Sequence, residues 1–114
     1  MESSARTPAA EITAAITGMW AAEFGKGPDR ARTYFNDENV VVVLYGGLLP
    51  HEQALLEAGE GDLVRAVRQR FEQILAPRFT SAVEGATGRR VLTFESQILY
   101  APTRTFELFV LDEG

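Results

Sequence analysis

Two rhythms of apolar and polar residues divide this chain, one with the 3.6-residue period of a helix and one with the two-residue period of a strand. Ile12, Ile16, Met19 and Trp20 recur at helical spacing. Ahead of them stand Thr7, suited to an N-cap, Pro8, suited to the first helical position, and Glu11, near the positive end of the helix dipole. Gly25 is the expected stop. Residues 25–32, GKGPDRAR, read as a loop, Arg32 to Phe35 as a short strand and Asn36 to Asn39 as a polar turn. Val40 to Tyr45 is the strongest strand signal: four valines, then Leu44 and Tyr45, six apolar residues in succession that predict burial on both faces. Gly46-Gly47 ends it.

Leu48 to Ala58 reads as a short helix, with Pro50 near its start and Gly59 beyond its end. Asp62 is the expected cap of a long helix. Leu63, Val67, Phe71, Ile74 and Leu75 predict its core-facing side, and Arg65, Arg68, Gln69 and Glu72 its solvated side. A proline inside a helix costs ~3 kcal/mol or more, so Pro77 predicts a kink or break, with helicity resuming through Phe79, Ala82 and Val83 and ending by Gly88. Arg90 to Tyr100 and Arg104 to Leu111 form a second hairpin joined by Ala101-Pro102-Thr103. Pairing centred on Pro102 puts Leu92, Phe94, Ile98 and Tyr100 on one face with Phe106, Leu108 and Val110, as the core side. Thr93, Glu95, Gln97, Thr105 and Glu107 fall on a wet side. Ser96 joins the apolar side as a packing or backbone-bonding hydroxyl.

The order α-β-β-α-β-β predicts an α+β two-layer sandwich: a four-stranded antiparallel sheet covered on one face by helices. The second face of the valine strand, Val41, Val43 and Tyr45, with Phe109 and Leu111 beside them, is too apolar for free solvent. It is the expected interface of a homodimer formed through the sheet or its edge. Residues 1–6 are expected to be a disordered tail and 7–114 a single domain.

Composition narrows the function classes. A chain of 114 residues buries roughly two-thirds of its unfolded surface as one domain, and an apolar fraction of 46% can fill that core. With no cysteine there is no disulfide, thiolate metal site or cysteine nucleophile, and a single histidine, His51, argues against a histidine-rich metal centre. A net charge of −5 disfavours nucleic acid and anionic membranes as partners. No run approaches 18 apolar residues and no leader pattern opens the chain, so a cytoplasmic domain without direct membrane insertion is expected. Ten arginines stand against one lysine, Lys26, a bias that GC-rich codons produce.

The ordered series GKGP, R-A-R, the valine strand, G-G-L-L-P-x-E-x-x-L, E-G-D-L-V-R-x-V-R, T-G-R-R-V and F-x-L-F-V-L-D resembles the MpsC-like family from about Ala9 to Asp112. These are small bacterial proteins, long described as a domain of unknown function and later named after a sodium-translocating, membrane-potential-generating system. Where the family usually shows threonine before the proline and a small residue after it, this chain has Leu49 and His51. The resemblance implies a fold and an accessory role but no catalytic residues. A chain without a membrane segment conducts no ion unaided, so the implied link to ion or bicarbonate transport runs through a membrane-protein partner.

Catalytic patterns fail one by one. His51-Glu52 opens like HExxH, but position 55 is leucine. Gly59-Glu60-Gly61 is no dinucleotide fingerprint, and GKGPDRAR lacks the Walker spacing. No G-x-S-x-G occurs, and Glu95 and Glu107 lie diagonally on a surface expected to be wet. No enzyme activity and no cofactor are therefore expected. The remaining chemistry is the glycine-rich basic loop, where Lys26, Arg30 and Arg32 crowd three cations into seven residues and suit a small anion such as a carboxylate, phosphate or bicarbonate. Their alternative role is to cap the first helix and pair with Glu23, Asp29 or Asp37. His51 reads as a surface residue with a conceivable pH-sensing role. An accessory domain acting by protein contacts is thus expected first, and an anion or metabolite sensor second.

Overall fold

The structure, a computed structural model, describes residues 7–113; the tail expected at 1–6 lies outside the described residues. Seven elements follow one another: helix α1 (Pro8–Phe24), strands β1 (Arg30–Asn36) and β2 (Asn39–Tyr45), helices α2 (Pro50–Glu57) and α3 (Gly61–Thr87), and strands β3 (Val91–Leu99) and β4 (Arg104–Leu111). The strands form one antiparallel sheet in the order β1-β2-β4-β3, so β2 and β4 are central. This is the two-layer α+β sandwich that the residue pattern predicts.

Local chemistry sets the ends of α1. The Thr7 hydroxyl accepts a hydrogen bond from the Ala10 N–H at 3.1 Å, and Gly25 closes the helix at φ 76°, its N–H donating to the Ala21 carbonyl at 2.9 Å. Ile12, Ile16 and Trp20 then face the sheet. With Leu75, Phe79 and Val83 of α3 they pack on Val40, Val42 and Leu44 of β2 and on Phe109 and Leu111 of β4. Phe94 bridges the layers, its ring 6.0 Å from Phe79 and 4.9 Å from Phe109. All of this lies on one side of the sheet.

Several expectations are corrected. Helix α3 is rotated: Val64, Arg68, Glu72, Leu75, Phe79 and Val83 are buried, whereas Leu63, Val67, Phe71 and Ile74 are 49%, 46%, 40% and 61% exposed. Tertiary packing is anchored by the C-terminal half, where Leu75, Phe79 and Val83 recur at helical spacing, and the N-terminal half must follow the same face. The helix also passes through Pro77 without ending. Pro77 and Gln73, whose carbonyl loses its donor, both lie on the exposed side of the helix, where a missing bond costs least.

The second correction concerns β4. The strands pair Leu99 with Arg104, Ser96 with Glu107 and Phe94 with Phe109, so the turn takes four residues and is not centred on Pro102. A one-residue slip sends every β4 side chain to the opposite face. Thr105, Glu107, Phe109 and Leu111 are buried, and Phe106, Leu108 and Val110 point outward. Third, Phe109 leaves the group formed with Val41, Val43 and Tyr45 and enters the core, as does Leu111. Fourth, strand β1 begins at Arg30, two residues before the expected start at Arg32, which moves Arg30 from the loop onto the sheet, and Glu60, not Asp62, is the N-cap of α3.

Candidate functional site

The rotation of α3 and the register of β4 bring two acids together. Across the helix-facing side of the sheet, Thr33, Val42, Glu107 and Ser96 form one row. Glu107, at its centre, is 0% exposed. Glu72 of α3 descends onto it and is 3% exposed. Among the described residues, no carboxyl oxygen of either acid makes a hydrogen bond of normal geometry, and the nearby Trp20 Nε1 is likewise without a partner. Burial, then the adjoining charge of Glu107, pushes the Glu72 carboxyl up to about 10. Burial also raises Glu107, although Glu72, Ser96 and Trp20 approach it. Two carboxyls in one apolar site cannot both ionise cheaply, so the pair retains at least one proton at neutral pH.

One helical turn earlier, Arg68 is buried and bonded through its Nε and Nη2. Its Nε and Nη2 donate to the two oxygens of Glu52 at 2.6 and 2.5 Å, and Nη2 also donates to the Gly47 carbonyl at 3.1 Å. The guanidinium lies 4.8 Å from the Trp20 ring and 4.3 Å from the Phe24 ring. Burial pushes Glu52 upward, but hydrogen bonds from Arg68 and from the Leu49 N–H outweigh it and hold its carboxyl below the usual range. The turn that presents Gly47 needs glycine: φ is 85° there, and an added Cβ would stand 3.3 Å from Pro28 Cα and from the Trp20 ring.

Above the acid pair, a cavity of about 260 Å³ opens between α3 and β3, lined by Gln69, Glu72, Gln73, Phe94, Glu95 and Ser96. Its polar side chains on the core side are the Glu72 carboxyl, the amides of Gln69 and Gln73, and the Ser96 hydroxyl. Ser96 sits on the core side, as the alternation of β3 predicts, opposite Glu107. Glu95 is exposed on the outer side, so Glu95 and Glu107 lie on opposite faces of the sheet. Among the described residues no group of three or more His, Cys, Asp or Glu is placed to hold a metal ion.

The basic residues of 26–32 are not gathered in one place. Lys26 lines a separate cleft with Asp29, Gly46, Gly47, Leu48, Gln53 and Thr103. Arg30 lies over the Tyr45 ring at 4.1 Å, joined there by Arg104 at 4.9 Å, and Arg32 sits beside Tyr34, whose phenol it holds below its ordinary pKa. Glu23, an expected partner of the loop, pairs instead with Arg78 at 3.1 Å. His51 is exposed on the first turn of α2, beside a small apolar cleft of Leu55, Leu63, Val64 and Val67.

On the outer side of the sheet the registers align four rows: Arg30, Tyr45, Arg104, Leu99; Arg32, Val43, Phe106, Gln97; Tyr34, Val41, Leu108, Glu95; and Asn36, Asn39, Val110, Thr93. The middle of this face is apolar. Among the described residues, no helix covers it.

These features belong to a recognisable sequence class, since residues 5–113 match the family model described as "Na+-translocating membrane potential-generating system (MpsC)". The chain belongs to the MpsC family. A curated relative, the uncharacterized protein YrhF of Bacillus subtilis (strain 168), is 33% identical over 91 residues, which cover 78% of this chain and 75% of YrhF. No solved structure matches the chain. The MpsC match spans all seven elements, so the acid pair, the Arg68–Glu52 pair and the open sheet face all lie within the family domain. Among the described residues of this MpsC-family chain, no helix is long and apolar enough to cross a membrane.

Proposed function

We propose that this chain is a non-enzymatic accessory domain that works as a homodimer, joined across the outer face of its sheet, and serves a membrane ion- or bicarbonate-transport partner. The observation that carries the dimer is that no helix packs on that face, where half-buried Val41, Phe106, Leu108 and Val110 surround the buried Val43 on the two central strands. A stable interface needs about 800 Å² from each partner, which is the scale of a whole sheet face and not of an edge. Edge pairing is further discouraged on β3, where the ladder is irregular between Val91 and Thr93. The family description, which names a membrane-potential-generating system, supports a membrane partner.

Sedimentation equilibrium tests the dimer. The expected mass is twice the 12.5 kDa of the chain, falling to the monomer mass in Val43→Glu and in Leu108→Glu, with the far-UV spectrum retained. A wild-type chain that sediments as a monomer at high micromolar concentration sinks the reading. The anion-sensor reading rests on Arg30 and Arg104 stacked on Tyr45 with Arg32 adjacent. It predicts thermal stabilisation by bicarbonate, phosphate or a carboxylate, abolished in Arg30→Ala; Lys26, in its separate cleft, takes no part.

A further inference from the structure

We propose that the cavity between α3 and β3 binds a small organic cation, a protonated amine or guanidinium compound, whose positive group pairs with the buried carboxyls of Glu72 and Glu107. Three independent features point there. Glu72 lines the cavity, is all but fully buried, and like the fully buried Glu107 behind it makes no hydrogen bond of normal geometry, the two carboxyls approaching only each other, Trp20 and Ser96. Native proteins leave few buried polar groups unsatisfied, and a missing ligand is one physical reason for such a group.

Second, the lining suits a cation and no other charge. Gln69, Gln73 and Ser96 offer acceptor oxygens and Phe94 offers a ring face, while no lysine or arginine lines the space. The buried cation nearby, Arg68, is engaged by Glu52, the Gly47 carbonyl and two aromatic rings, with only Nη1 unpartnered. Third, size favours an organic ligand. At the ~30 Å³ that a water occupies in the liquid, a cavity of about 260 Å³ corresponds to on the order of nine heavy atoms. A bare alkali ion would leave it mostly empty.

Binding is coupled to a proton. The acid pair retains a proton in the free protein, and an arriving cation takes its place against the carboxyls, so one proton leaves to solvent as one positive group enters. The groups that face the pair are Trp20 from α1, Arg68 from α3 with Glu52 of α2 behind it, and Ser96 of β3. Affinity therefore rises with pH until the ligand loses its own proton.

Titration calorimetry of the full chain with agmatine and with putrescine, at pH 8 in two buffers of different ionisation enthalpy, tests this. Expected are saturable binding, a heat that differs between the buffers by close to one released proton, and at least about tenfold weaker binding in Glu72→Gln. Should Glu72→Gln fail to fold, Ser96→Val, which crowds the cavity, is expected to show the same loss. Absence of saturable heat overturns the proposal, as does binding unchanged in the variants, or displacement of agmatine by sodium chloride in place of choline chloride at equal ionic strength. The outer sheet face lies on the other side of the sheet, so this result and the dimer measurement fail independently.

Discussion

A carboxyl that holds its proton more tightly in the folded chain than in the unfolded one weakens the fold as pH rises. Glu72 is such a group, raised from 4.5 to about 10 by burial and by Glu107. Below its unfolded value both states carry the proton and the acid costs nothing. Between that value and about 10 the unfolded chain ionises while the folded chain does not, so stability drains away through this window. Glu52 has the opposite sign: Arg68 and the Leu49 N–H lower its pKa, so its contribution is present above the ordinary carboxylate range and lost on acidification. Glu72→Gln removes the alkaline slope. Its melting temperature should exceed that of the wild type at pH 8, by the equivalent of about 1–2 kcal/mol, and converge with it near pH 5. Parallel curves for the two proteins across that range would contradict the burial argument. Arg68 predicts the reverse behaviour. Arg68→Met strands a buried Glu52 and should cost ~3–5 kcal/mol in urea unfolding, whereas Arg68→Met with Glu52→Leu should recover much of the loss.

At the scale of elements, α3 shows how apolar pattern and actual burial part company. Ile74 and Leu75 are adjacent, yet the first is largely exposed and the second fully buried. Ile74→Glu should therefore change monomer stability by no more than ~0.5 kcal/mol, while Leu75→Ala should cost about 2–5 kcal/mol; chemical denaturation at low protein concentration separates them. Element identities and order were legible in the chain because caps, glycines and the valine run act locally: Thr7, Gly25, Gly88 and the β2 valines need no tertiary information. Facing was legible only where one side is clearly polar. In α1 it was, and Ile12, Ile16 and Trp20 are buried as their spacing implies. In α3 and β4 both sides carry apolar residues, so the pattern is consistent with two rotations. The choice falls to long-range packing for the helix and to one residue of turn length for the strand. The candidate site was hidden for the same reason. Glu72 and Glu107 each sat on the side read as wet, and both had to be turned inward before they met. An acid flanked by apolar residues on both sides, as in Phe106-Glu107-Leu108, is the one local sign that a search of the sequence could have used.

For the whole molecule, the question is how two sheet faces would meet. A two-fold axis in the plane of the interface and parallel to the strands lays β1 of one copy over β3 of the other, because the strand order places these two at opposite edges. The rows then set Arg32, opposite Val43, near the partner copy's equivalents of Gln97 and Glu95. In such a dimer a basic edge would meet an acidic one twice, around an apolar centre of Val41, Val43, Phe106 and Leu108. The centre would supply most of the affinity and the charged edges would fix orientation. An axis perpendicular to the strands would instead lay β1 over β1 of the partner copy with its direction reversed, bringing the two arginine-bearing edges to the same side of the dimer. Charge reversal distinguishes the two arrangements. Arg32→Glu and Glu95→Arg should each weaken the dimer about two- to fivefold per pair, in keeping with the ~0.2–1 kcal/mol of exposed ion pairs. The double variant should return most of that loss, and the differences should shrink at 1 M salt, where the screening length falls to about 3 Å. If the double variant is as weak as the two single losses combined, Arg32 and Glu95 do not face each other and the parallel axis is wrong. If Arg32→Glu instead strengthens the dimer, the arginines oppose one another and the perpendicular axis holds.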